Sequence, residues 1–158
     1  METAGAGVGA HPSVRLAVAP EPRLLGTVRL VVATAARRVG LDEEQIEDLK
    51  VAVSEACALS IHSMRDAGMV QPVEVDLYED EGRFAIEVRD RAPEDGHPGA
   101  GAADGIEDRV FGLALVSALV AGVESSPRDG GGHATRFWLP IGTTAGPGRE
   151  PGSDPDVP

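Results

Sequence analysis

Glu55 and its neighbours are the first place in this chain where chemistry could be done. They lie in VAVSEACALSIHSM, residues 51–64. A glutamate carboxylate can take a proton, and residues four apart share one face of a helix. Four residues beyond Glu55 stands Leu59, which has no lone pair to offer a cation. His62 falls on the same side of such a helix, about two turns on from Glu55. Imidazole suits softer ions than Mg²⁺, so His62 reads first as a solvated or packed side chain. Cys57 is the single cysteine. It excludes an internal disulfide or a multi-cysteine metal site, and it reads as a small core residue.

These residues need elements to position them. VRLAVAP, 14–20, alternates and predicts a strand, broken by Pro20 and Pro22. LLGTVRLVVATAARRVG, 24–40, has helical apolar spacing and stops at Gly40. Asp42 and Gln45 form a capping-box pattern for a helix running to about Met64. Ile46, Leu49, Val53, Ala56, Ser60 and Met64 trace its buried stripe; Glu55, Leu59 and His62 lie on a different face.

VEVDLYED, 73–80, and RFAIEVRD, 83–90, alternate around Glu81-Gly82 and predict a hairpin. Residues 91–108 are rich in Gly, Ala, Pro and acid and read as a long loop. RVFGLALVSALVAG, 109–122, predicts an apolar helix, and VESSP and HATRFWLPI predict two strands around the turn RDGGG, 128–132. The order β-α-α-β-β-loop-α-β-β predicts an α+β two-layer sandwich. Its sheet is mixed and largely antiparallel, covered on one face by three helices. Residues 1–12 read as a disordered arm, 13–141 as the folded domain and 142–158 as a disordered tail.

Composition narrows the partners. The formal net charge is −12 over 158 residues, which argues against nucleic acid, since phosphate binding needs clustered Lys and Arg. The charge suits a basic protein partner, or plain solubility. No apolar stretch approaches the roughly 20 residues that span a bilayer. The N-terminus METAGAGVGAHPS lacks the basic start and apolar run of a signal peptide, which points to the cytoplasm.

With its elements in this order, the chain resembles the histidine-kinase-like ATPase (Bergerat) fold of gyrase, histidine kinases and bacterial anti-sigma factors. It is most similar to the RsbW-type anti-sigma serine kinases. LKVAVSEACALSIHS resembles that family's helix motif L-x-hydrophobic-A-V-S-E-A-x-x-N-A-x-x-H, and Ala52, Val53, Ser54, Glu55 and Ala56 match it. The resemblance implies Glu55 as the catalytic base. It puts Leu59 where the family has a Mg²⁺-holding Asn, so no metal ligand is carried over. From the family's Asp-x-Gly-x-Gly it implies Asp90 as acceptor for the adenine amino group, with Ala92 in place of the first Gly. From the family's Gly-x-Gly-Leu, which opens the last helix and holds phosphates, it implies Gly112 and Leu113 as contacts. There Val110 replaces the first Gly, and Arg109 stands where it could neutralise a phosphate. The late family Thr falls on Thr135, or is lost to His133 or Ala134.

The implied cofactor is ATP or ADP with weakened affinity, and Mg²⁺ loses its usual ligand. The implied partners are a sigma factor, an anti-anti-sigma protein, or both. The family also implies a homodimer, and a gripping surface near the first helix that includes Arg29, Arg37 and Arg38. Two readings follow. One is an anti-sigma-type regulatory protein with a degenerate ATP pocket and weak or absent kinase activity. The other is an active ATP-dependent serine/threonine kinase acting on an anti-anti-sigma factor.

Overall fold

The computed structural model describes residues 12–93 and 102–142. The arm and tail read at 1–12 and 142–158 fall outside the described residues apart from their innermost positions. Five strands form one sheet: β1 (Val14–Val18), β2 (Val73–Asp80), β3 (Arg83–Arg89), β4 (Gly122–Pro127) and β5 (His133–Pro140), in the order β1-β2-β3-β5-β4. The sheet expected to be mixed and largely antiparallel is antiparallel at each of its four pairings. Three helices cover one face: α1 (Leu25–Arg38), α2 (Glu43–Asp66) and α3 (Ala102–Leu119). α2 lies between the other two and packs on both.

The local signals act as physical chemistry requires. Asp42 caps α2: its Oδ1 accepts the Gln45 N–H at 2.8 Å, and Gln45 Oε1 accepts the Asp42 N–H at 3.0 Å. Two orphan donors are thereby satisfied, and Glu43 and Glu44 in the first turn complement the helix dipole. The Glu81-Gly82 turn joins β2 to β3 with φ of 49° and 75°, the positive pair that a two-residue hairpin uses.

The predicted stripe of α2 is buried throughout. Ile46, Leu49, Val53, Ala56, Ser60 and Met64 face the sheet, where Val75, Leu77, Phe84, Ile86 and Phe137 meet them. Cys57 is in this core, and burial pushes its thiol pKa up to about 12.

One boundary differs from expectation. The loop read at 91–108 ends early, because α3 starts at Ala102 instead of 109. AADGIEDR, 102–109, contains good helix formers, and its single Gly costs only about 1 kcal/mol in a helix.

The sheet's other face is polar and self-paired. Asp76 has no exposed surface, yet its Oδ2 accepts from Arg89 Nη2 at 2.9 Å and its Oδ1 lies 3.4 Å from Arg15 Nε. Burial pulls the Arg89 pKa down, but hydrogen bonds to Glu87 and Asp76 outweigh it and hold the guanidinium charged. Arg83 stacks over Trp138 and Arg136 over Tyr78, with 5.1 and 5.2 Å to the ring centres.

Candidate functional site

Glu55 and Leu59 emerge together from α2 and meet α3 at Gly112. A Cβ on Gly112 would lie 2.8 Å from Glu55 Oε1 and 2.9 Å from Leu59 Cδ1. Three residues singled out from the sequence therefore share one contact. Glycine lets α3 come close, and Leu59 fills the space beside the carboxylate. Around Gly112 the surface is apolar: Val110 and Phe111, just before it, are 63% and 73% exposed.

His62 does not join this contact. It lines a cleft of about 490 Å³ on the α1 side of α2, with Pro22, Leu25, Ala58, Ile61, Arg65 and Asp66. Its Nε2 lies 3.1 Å from Asp66 Oδ2. The shared face read for Glu55, Leu59 and His62 thus divides, with Glu55 and Leu59 towards α3 and His62 towards the start of α1. No other residue singled out for chemistry lines that cleft.

Asp90 stands just past the end of β3 and is 1% exposed. Its Oδ1 accepts the N–H groups of Ala92 and His133, each at 3.1 Å. Its Oδ2 is buried and has no hydrogen-bond partner among the described residues. A buried acceptor left unpaired costs about 1–3 kcal/mol, so this oxygen is a place for a ligand donor. Ala92 is 2% exposed and holds Asp90 through its backbone. Its methyl is accommodated where glycine was the family expectation.

Of the three positions open to the late family Thr, 133, 134 and 135, Thr135 carries the hydroxyl. It is buried on β5, opposite Val88, with Oγ1 3.2 Å from Ser125 Oγ. Strand alternation puts Thr135 on the helix-covered face with Val88. The Arg91 N–H donates to Met64 Sδ at 3.4 Å, which places the Asp90 end of β3 beside Met64. Met64 is nine residues, or roughly 13.5 Å along the α2 axis, from Glu55. The site therefore has two ends: a buried acceptor at Asp90, and a carboxylate with a leucine at Glu55 and Leu59.

The expectation that Gly112 and Leu113 open the last helix is not met. They lie in the interior of α3, ten residues or more from Ala102. Interior amides are bonded to carbonyls four residues back, and only the first four N–H groups of a helix are free to hold an anion. Arg109, half-buried, sits in the same interior stretch.

Comparison with known proteins agrees with this architecture. The family model for the histidine kinase-like ATPase domain matches residues 18–138. The chain belongs to that family.

Within it, the chain is similar to the serine-protein kinase RsbW of Halalkalibacterium halodurans, 35% identical over 79 residues, or 50% of this chain and 48% of that one. It is 41% identical over 54 residues to the RsbW of Bacillus velezensis, covering 34% of each chain. It is 40% identical over 48 residues to that of Bacillus subtilis, covering 30% of each. The matches thus span about half or less of those relatives' lengths. The crystal structure of the RsbU and RsbW domains of Rv1364c from Mycobacterium tuberculosis shares the fold, with a TM-score of 0.61 at 19% identity. That match covers 82% of this chain and 32% of the other.

The family's nucleotide can be tested against these residues. The adenine end fits: Asp90 Oδ2 is a buried acceptor awaiting a donor. The phosphate and Mg²⁺ end does not, because Leu59 supplies no oxygen and the Gly112 and Leu113 amides are inside a helix.

Sequence reasoning missed three residues of the site. Arg128 and the backbone of His133 hold Asp90, and Gly132 lies so close that a Cβ on it would be 2.1 Å from the Asp90 carbonyl oxygen. The run Gly130–Gly132, which reads as a turn and as the Gly-Gly ahead of the family Thr, is the signal that could have found them.

Proposed function

We propose that this chain is an anti-sigma-type regulatory protein that works by binding a protein partner, a sigma factor or an anti-anti-sigma protein. Its adenine-binding end is kept, and its kinase activity is weak or absent. The observation that carries this reading is Leu59 packed against Gly112 beside Glu55. Phosphoryl transfer depends on positioning and on electrostatic stabilisation of the phosphates, largely by Mg²⁺. With the oxygen ligand replaced by a carbon side chain, Glu55 has a proton-accepting group but little to act on. Residues 13–141 form the acting domain, and a homodimer is its working state.

In this reading Asp90 orients an adenine, Thr135 lines the same helix-covered side of the sheet, and Glu55 stands at the far end. When bound, a nucleotide would supply phosphates whose charge these residues do little to neutralise. The gripping surface on α1 is narrower than the three arginines suggested. Arg29 donates to Ser54 Oγ at 3.1 Å, and Arg37 is paired with Glu43 at 2.9 and 3.0 Å. Arg38 remains exposed at the end of α1, and Leu30 is 66% exposed on the same helix.

The alternative is an active serine kinase. Glu55 favours it, since the base is retained and sits against the last helix. The two readings separate in one assay. The chain is incubated with γ-labelled ATP, Mg²⁺ and candidate sigma and anti-anti-sigma proteins of its organism. A stable complex without label on the partner is the expected result. Label passing to a partner serine at many turnovers per hour sides with the kinase.

A further inference from the structure

Asp90 is gripped from the hairpin that joins β4 to β5. The Arg128 Nη1 donates to the Asp90 carbonyl at 2.8 Å. The Asp90 N–H donates to the His133 carbonyl at 3.0 Å, and the His133 N–H returns to Asp90 Oδ1 at 3.1 Å. The hairpin is closed on itself: the Arg128 N–H donates to the Gly132 carbonyl at 2.9 Å, and the Gly131 N–H to the Arg128 carbonyl at 3.2 Å.

Gly130, Gly131 and Gly132 carry φ of 86°, 104° and 97°, a region that L side chains rarely enter. At Gly132 there is a second reason for glycine: a Cβ would lie 2.1 Å from the Asp90 carbonyl oxygen. The hairpin can approach Asp90 this closely only without a side chain.

The result is a carboxylate with one oxygen fixed and one spare. Oδ1 is held by two amides, so the carboxylate cannot rotate without losing both. Oδ2 is buried and unpartnered among the described residues. An ionised carboxylate only accepts hydrogen bonds. It therefore favours a ring bearing an exocyclic amine over one bearing a carbonyl at that position.

We propose that Arg128 is a positioning residue of the base pocket: through the Asp90 carbonyl and the triple-glycine turn, it fixes Oδ2 so that the pocket selects a 6-aminopurine over a 6-oxopurine. The proposal rests on the reading of Asp90 as the base acceptor. It assigns the selectivity to a hairpin 38 residues away in sequence. Arg128 is suited to the task because a charged donor makes a stronger hydrogen bond to a carbonyl than a neutral one does.

The test uses the full chain with Arg128→Ala, Arg128→Lys and Asp90→Asn. One readout is hydrogen exchange of the Ala92 and His133 amides without ligand. The other is the affinity for ADP and for IDP by titration. Arg128→Ala should speed exchange of both amides and weaken ADP by about tenfold, because Oδ2 is no longer held ready for the amine and ordering it is added to the cost of binding, with IDP unchanged. Arg128→Lys should restore part of each, because it keeps a charged donor.

Unchanged exchange together with unchanged ADP affinity in Arg128→Ala overturns the proposal. Equal affinity of the unaltered chain for ADP and IDP, with no loss in Asp90→Asn, overturns instead the reading of Asp90 as base acceptor, whatever the exchange rates show.

Discussion

Leu59 and Gly112 are one contact, and it lies beside the Glu55 carboxylate. The three atoms nearest a methyl on Gly112 would all be side-chain ends, of Glu55 and Leu59. Side-chain ends can move, so Gly112→Ala should be partly offset by alanine's better helix propensity, about 1 kcal/mol. Shortening Leu59 should remove its share of the clash and leave the Glu55 carboxylate room to move. We therefore expect Gly112→Ala to be tolerated better in a Leu59→Ala background than alone, with a coupling of roughly 0.5–1 kcal/mol. Urea unfolding of the two single variants and the double variant measures it. Strictly additive effects would mean that the helices do not meet there. The sequence showed both residues but not their meeting, because contact across two helices depends on the crossing of α2 and α3, which no spacing within either helix encodes.

At the scale of elements, the pair Arg37–Glu43 ties the end of α1 to the start of α2. The hydrogen bond from Arg37 lowers the Glu43 pKa below its ordinary value. A depressed carboxylate stabilises the fold above its unfolded pKa of about 4.3, and that contribution fades as pH falls through the folded value. The gap in melting temperature between the chain and its Arg37→Ala variant should therefore be constant from pH 8 to 6 and should shrink towards pH 3. A gap that widens in acid would reverse the assignment.

The hairpin between β2 and β3 offers a second case. Glu81 is the one non-glycine residue with positive φ among the described residues. Asn enters that region more readily, so Glu81→Asn should stabilise by roughly 0.5–1 kcal/mol in urea unfolding. No gain would mean that the turn relaxes in solution.

Both elements were legible in the sequence. The Asp42 and Gln45 spacing set the cap, and the alternation on either side of Glu81-Gly82 set the strands. The start of α3 was not, because AADG composition serves a loop or a helix equally well until something packs on it.

At the scale of the whole molecule, a polar outer sheet face and a helix layer enclose one core, and the two ends of the site lie along α2. Asp90 could be picked out by resemblance. The groups that hold it could not, because Arg128 and Gly132 reach it only once β5 is laid beside β3. The described residues contain no helix long and apolar enough to cross a membrane.

In the proposed function the base end is the retained half of the site and the phosphate end the lost half. Calorimetric titration of the chain with AMP, ADP and ATP, each with and without Mg²⁺, tests that division most directly. The account predicts similar, weak affinities for all three, changed less than about twofold by Mg²⁺, since 1.4 kcal/mol of metal-dependent binding would already be tenfold. ATP binding that Mg²⁺ tightens tenfold or more would contradict it.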